Sequence, residues 1–210
     1  DVTKMFGQQF IGSLDRLLRI ILQVAWLNFL WILFTLLGLL VAGIFPATTA
    51  TISVTRKWVQ KQEDISVFKS FKQAYKKEFI KSNIIGFILT AIAAVFFLNY
   101  HVLLQLGEQI PIIVIFAFYF VIFLYGILLI WIFPLLSHYQ SSVKQYFKNA
   151  LIIGITKMPT TILMGLSIFI ILYMSLRLPS MLLFCTTSLI GLSVAFFSMR
   201  VFEKIDTDIS

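Results

Sequence analysis

Few residues in this sequence have the types and spacing that chemistry requires. There are two histidines, His101 and His138, and one cysteine, Cys185. No HExxH, CxxC, GxSxG or phosphate-binding glycine loop occurs. Glu63 and Asp64 are adjacent in a polar stretch that reads as a solvated turn. Metal binding and proton relay inside a membrane both need ionisable groups within the apolar runs, and no run carries one in its interior. The expectation is therefore a protein that is not an enzyme, with no catalytic, cofactor or metal site. The polar residues left in apolar surroundings are Asn28 and the run from Thr48 to Thr55. Thr48, Thr51 and Thr55 share one helical face, with Thr49 and Ser53 beside it. Asn28, Thr48, Thr51 and Thr55 form a candidate polar intramembrane face. The plainer reading is close helix packing, in which small residues let backbones approach and hydroxyls bond locally. That reading is favoured.

The elements that would carry these residues are membrane helices. The chain has 210 residues, 60% hydrophobic and 12% charged, with a mean hydropathy of +0.96. No charge falls between Arg19 and Arg56, only Glu108 between Lys81 and Lys144, and only Arg177 between Lys157 and Arg200. A soluble helix needs a wet face, so such runs give an all-α, polytopic helical membrane protein. The net charge of +8 suits lysines facing an anionic inner leaflet, and no nucleic-acid-binding motif accompanies it. A single cysteine allows no intramolecular disulfide. The first apolar run is too long for a signal-peptide core, so no cleavage is expected after it.

Taken in order, residues 1–19 read as an amphipathic helix, with Phe6, Phe10, Leu14, Leu17 and Leu18 opposite Lys4, Gln8, Asp15, Arg16 and Arg19. Ile20 to Phe45 is the first crossing. Ile44 to Gln60, with Pro46 in its first turn and Arg56, Lys57 and Trp58 at its end, is taken as a short return; a re-entrant or surface helix would make the number of crossings odd. Ile65 to Lys81 is a second amphipathic helix, with Phe68, Phe71, Tyr75 and Phe79 on one stripe and Lys69, Lys72, Lys76, Lys77 and Lys81 on the other face. Two crossings follow, Asn83–Leu104 and Pro111–Leu136, then a third amphipathic helix with Lys144 and Lys148 turned outward. Pro159–Leu176 and Ser180–Met199 are the last crossings, and Arg200–Ser210 reads as a polar, fraying tail. The expected layout is about six crossings in three hairpins, each preceded by an interfacial amphipathic helix. It forms one membrane domain, 1–210, with approximate repeat units 1–61, 65–136 and 137–200. Lys69, Lys72, Lys76, Lys77, Lys81, Lys144 and Lys148 are the expected lipid contacts at the inner leaflet.

With both termini inside, every Lys and Arg except Arg177 falls on the cytoplasmic side, in keeping with the positive-inside rule.

Trp26-Leu27-Asn28-Phe29-Leu30-Trp31, then Gly43-Ile44-Phe45-Pro46-Ala47-Thr48, then Arg56-Lys57-Trp58-Val59 resemble the YesL-like family of Gram-positive bacteria, which carries the domain of unknown function 624. The likeness is strongest over residues 14–82; here the family's Gly-Pro-Ala turn is interrupted by Ile44-Phe45. The resemblance implies a bacterial cell-membrane protein, an accessory subunit or assembly factor of an ABC-type oligosaccharide importer, with permease subunits as partners. It brings no catalytic residue with it. The alternative is a stand-alone small transporter or lipid-handling protein.

Overall fold

The computed structural model describes residues 2–62, 65–106 and 110–209, with side chains described at 14, 15, 17–62, 65–106 and 110–207. The expected turn at Glu63 and Asp64, residues 107–109, and the side chains of the apolar stripe at Phe6 and Phe10 lie outside these. The described residues are helical, with no strand among them: α1 (Val2–Leu37), α2 (Ile44–Val59), α3 (Val67–Leu106), α4 (Ile112–His138), α5 (Val143–Thr156), α6 (Met158–Arg177), α7 (Pro179–Phe184) and α8 (Thr186–Ile209).

Four of these helices are long and apolar enough to cross a membrane: Leu17–Leu37 within α1, α3, α4 and α6. The six-crossing layout in three hairpins is corrected here. α2 has 16 residues, about 24 Å at 1.5 Å per residue, against a hydrocarbon core of about 30 Å. α8 is interrupted before it starts and carries its polar end as helix to Ile209, so the tail is not the frayed segment expected.

Only one of the three expected interfacial helices is a separate element. α1 runs unbroken from its amphipathic start into its apolar span, and α3 does the same over 40 residues. No proline or glycine stands between Lys81 and the apolar run that follows, so nothing stops propagation of the helix. The third helix does break, at Lys157, where Pro159 opens α6. α5 starts with Ser142 as its N-cap, accepting from the Gln145 amide at 3.4 Å.

Two apolar clusters hold the helices together, and α2 belongs to both. Ala47, Ala50 and Val54 of α2 pack with Leu27 and Leu30 of α1 and with Val67, Phe71 and Tyr75 of α3. Ile52 of α2 joins Ile85 and Leu89 of α3, Trp131 and Leu135 of α4, Tyr146 of α5, Met164 of α6 and Phe202 of α8. Phe71 and Tyr75 of the aromatic stripe are thus covered by the protein's own helices, while Phe68 is left exposed. Phe34 of α1 stands 5.2 Å from Phe71 and 5.0 Å from Tyr75, ring centre to ring centre, and the Tyr75 hydroxyl donates to the Phe34 carbonyl at 3.2 Å.

These contacts fix which part of α3 the first two helices meet. α2 runs antiparallel to residues 70–86: Lys57 Nζ donates to Ser70 Oγ at 3.2 Å, and Thr49 and Ser82 share a buried hydroxyl bond of 2.9 Å. The end of α1 and the turn after it also lie beside Tyr75. A Cβ placed on Gly38 would come within 2.8 Å of the Tyr75 hydroxyl and 2.3 Å of Gly43 Cα. Between those glycines, Leu39 and Leu40 hold φ values of 56° and 64°, a left-handed conformation that costs roughly 1–2 kcal/mol per side-chain-bearing residue. α2 ends in a Schellman arrangement, with Gln62 N–H on the Lys57 carbonyl at 3.0 Å, Lys61 N–H on that of Trp58 at 2.9 Å, and Lys61 at φ 60°.

Candidate functional site

The residues singled out by type do not converge. Asn28 is fully buried and faces the break between α7 and α8. Its Nδ2 donates to the carbonyls of Leu182 and Leu183, at 3.1 and 2.6 Å. Its Oδ1 accepts from the Thr187 amide at 2.9 Å and the Thr187 hydroxyl at 2.6 Å. Thr48 lies on the α1 side of α2, where it accepts from Trp31 Nε1 at 3.2 Å and donates to the Ile44 carbonyl at 2.7 Å. Thr51 and Thr55 lie on the α8 side. Their hydroxyls donate to the carbonyls of Ala47, Thr51 and Ile52 within α2, and their methyls face Gly191. The four residues are packing and latch groups on three sides of α1 and α2. The lysines expected at lipid are on the surface: Lys69, Lys72, Lys76, Lys77, Lys144 and Lys148 are exposed and Lys81 is half-buried.

The polar site the structure does build lies between α2, the lysine-rich part of α3 and the end of α4. It is a cavity of about 170 Å³ lined by Thr49, Ser53, Arg56, Lys57, Ser70, Gln73, Ala74, Lys77, Glu78 and Ser137. The α2–α3 antiparallel pairing creates it. The two helices touch through small hydroxyl residues at Thr49 and Ser82 and are tied again at Lys57 and Ser70.

Glu78 is only 4% exposed. Its Oε1 accepts from Gln140 Nε2 at 2.7 Å, and Lys77 Nζ stands 3.9 Å away, while Oε2 has no partner in the protein. Gln140 is itself held by Lys81 Nζ at 3.2 Å. Across the cavity, Arg56 Nη1 donates to the Ser137 carbonyl and to His138 Nδ1, but Arg56 Nε has no partner. An arginine can only donate, so His138 accepts at Nδ1 and carries its proton on Nε2, 3.3 Å from Asp206 Oδ2. Tyr139 donates to the other Asp206 oxygen at 2.8 Å. Burial, then the bond to Asp206 and its charge, push the Tyr139 phenol well above its usual range, so it stays a donor. This chain ties α2, α4 and α8 behind the cavity.

Three cationic residues and one carboxylate therefore line a small space, while Arg56 Nε and Glu78 Oε2 are buried beside it without a protein partner. Burying such groups unpaired is costly. Residue type pointed elsewhere, because Arg56 and Lys57 read as an interface anchor. The one available signal was Glu78, the only acidic residue from 65 to 107.

The family described as "Protein of unknown function, DUF624" matches residues 24–100. The chain is 37% identical to "Uncharacterized protein YesV" of Bacillus subtilis (strain 168) over 186 residues, 89% of each protein. It is 30% identical to "Uncharacterized protein YesL" of the same organism over 186 residues, 89% of this chain and 88% of the relative. The chain belongs to the YesL-like DUF624 family. A third relative, "Uncharacterized protein YteU" of the same strain, is 36% identical over 183 residues, covering 86% of this chain and 82% of that one. No solved structure matches. The stretch that carries the DUF624 match holds Asn28, the whole of α2 and the cavity wall contributed by α3.

Proposed function

We propose that this DUF624 protein is a non-catalytic membrane subunit that works by docking on other membrane helices, as an accessory or assembly factor of an ABC-type oligosaccharide importer. The observation that carries this is the use of polar groups on α2. The hydroxyls of Thr51 and Thr55 bond back into their own helix and pack on Gly191, so the candidate polar face is used for packing, the favoured reading. Meanwhile the outer parts of α3 and α4 present Phe97, Leu98, Leu104, Ile113, Phe116 and Phe120, each more than half exposed, as surface for lipid or a permease helix.

The same reading revises the topology. The end of α1 touches Tyr75 in the lysine-rich part of α3, so the 38–43 turn belongs on the lysine-bearing face. α2 then lies at that face instead of crossing. Five passages follow, by α1, α3, α4, α6 and the α7–α8 segment, with the N-terminus outside and the C-terminus in the cytoplasm. Every Lys and Arg other than Lys4, Arg16, Arg19 and Arg177 then faces the cytoplasm, which still satisfies the positive-inside rule.

The test of function is affinity purification in mild detergent from the native membrane. Importer permease and ATPase subunits should co-purify in near-stoichiometric amount, and deletion should impair growth on one complex glycan. A protein that elutes alone, and that moves a solute when reconstituted by itself in liposomes, would sink the proposal.

A further inference from the structure

We propose that the groove between the start of α6 and the end of α8 holds an anionic phospholipid of the cytoplasmic leaflet, with its phosphate among Lys157, Arg200 and Lys204 and its chains along the apolar flanks of the same two helices. The inference goes beyond the importer role, since every group in it belongs to this chain.

The two helices form an antiparallel pair whose register is set by hydroxyls. Ser193 Oγ donates to Ser167 Oγ at 2.6 Å, and Ser175 and Thr186 share a buried hydroxyl bond of 2.7 Å. The same register carried to the other end of the pair brings Lys157 and Thr160 level with the last turns of α8. There they line an open cavity of about 580 Å³ with Arg200, Glu203, Lys204 and Thr207, within the roughly 300–1,000 Å³ of small-molecule sites. Lys157, Arg200 and Lys204 are all exposed, so a guest in the groove can meet their charged ends. The C-terminus is cytoplasmic in the six-passage and the five-passage layouts alike, so this end of the pair faces the inner leaflet in both.

The three cations have no anionic partner in the protein. The ion pairs among the described residues are Lys77–Glu78 and His138–Asp206. Glu203 is the one carboxylate on the cavity wall, and it balances only one of the three positive charges. Arg200 marks the level at which an anion completes the site. Its guanidinium lies back over the Phe196 ring, 4.1 Å from the centroid, one turn toward the membrane span. Phe196 is 41% exposed, and Leu163 and Leu166 of α6 are 51% and 52% exposed. Positive charge is therefore held at the edge of an apolar surface. A soluble ion gains nothing from that surface, whereas a phospholipid carries a phosphate and apolar chains one above the other. Guanidinium–phosphate hydrogen bonds are among the strong ones. Glu203 can only accept while ionised, so a headgroup with hydroxyls beside its phosphate suits the whole wall, and phosphatidylglycerol is the probe with that chemistry.

The experiment uses the full chain purified in neutral detergent. Thermal unfolding is followed as phosphatidylglycerol, phosphatidylcholine or soluble glycerol 3-phosphate is added. Phosphatidylglycerol should raise the midpoint, and the other two should not. Arg200→Gln with Lys204→Gln should raise the phosphatidylglycerol concentration needed for half the effect by roughly tenfold or more, since each Lys or Arg near an anionic surface is worth about fivefold. Arg200→Lys with Lys204→Arg keeps both charges and should restore the wild-type response. Arg19→Gln with Lys61→Gln removes two exposed charges elsewhere and should leave the response close to wild type. The proposal is overturned if phosphatidylglycerol acts no better than phosphatidylcholine. It is also overturned if the Arg19 and Lys61 pair weakens the response as much as the Arg200 and Lys204 pair, since the attraction is then diffuse. A matching rise with glycerol 3-phosphate alone makes the guest a soluble phosphate and overturns the lipid assignment.

Discussion

The side-chain amide of Asn28 is inserted between Leu183 and Thr187, the two residues that an unbroken helix would join directly. An α-helix bonds the amide of residue 187 to the carbonyl of residue 183. Here Asn28 Nδ2 donates to the Leu183 carbonyl at 2.6 Å, and Asn28 Oδ1 accepts from the Thr187 amide at 2.9 Å. α7 ends at Phe184 and α8 begins at Thr186. A break in a membrane helix is tolerated where another group satisfies the freed backbone, and Asn28 does so from α1, 159 residues away.

Asn28→Ala should therefore destabilise the protein by roughly 1–3 kcal/mol, the usual cost of stranding buried hydrogen-bonding groups. The second readout is local. Cys185 sits at the break and is partly buried, so its modification by a small maleimide in detergent should speed up in the variant. Thr187→Val removes one hydroxyl bond and leaves the amide bond, so its effect should be smaller in both measurements. Equal thermal midpoints for wild type and Asn28→Ala would show that the latch contributes nothing.

The glycines give a contrast within one chain. A Cβ on Gly43 would stand 2.4 Å from the Thr35 carbonyl oxygen and 2.7 Å from Thr35 Cα, backbone that no rotamer change can move. Gly43→Ala should cost several kcal/mol, of the order of other overpacked sites at about 1–3 or more, and lower expression in the membrane. Gly126 meets nothing within 4 Å, and it lies inside α4, so Gly126→Ala should be neutral or gain up to about 1 kcal/mol from helix propensity. Scanning fluorimetry of the two variants side by side decides it.

Phe68 and Phe71 test whether the lysine-rich helix rests on lipid or on the protein. Phe71 is fully buried, and Phe68 is 43% exposed. Phe71→Ala should cost roughly 3–5 kcal/mol, as for other buried aromatic truncations, and Phe68→Ala far less. Similar small losses for both, recovered by anionic lipid, would return the aromatic stripe to the membrane surface.

The sequence made the membrane class and the helical segments legible because uncharged runs report directly on transfer into lipid. It did not show that α2 is only 16 residues long or that the last apolar segment is broken between α7 and α8. Hydropathy measures contact with lipid, whereas α2 buries Thr49, Thr51 and Thr55 against other helices. The continuity of α1 and α3 was readable from the absence of any proline within them, yet the change from amphipathic to apolar composition suggested a boundary. Asn28 stood out by type and matters by position. The Arg56–His138–Asp206 chain and the Gln140–Glu78 bond join residues 62 or more apart, and no local pattern encodes such pairings.

The orientation of α1 gives the last prediction. Phe34 and Gly38 lie against Tyr75, so the 38–43 turn and the lysines of α3 belong on one side of the bilayer. If α2 crossed instead, that turn and those lysines would face opposite sides, about 30 Å apart across the hydrocarbon. In a Cys185→Ser background, single cysteines are placed at Thr3, Val41, Gln62, Gln109 and Ser210 of the full chain in intact cells. An impermeant thiol reagent should label positions 3 and 109 from outside. Positions 41, 62 and 210 should react only after permeabilisation. Val41 is 63% exposed, so its thiol is open to the reagent on whichever side it lies. Labelling of position 41 from outside, with position 62 still protected, would make α2 a crossing helix and restore a cytoplasmic N-terminus.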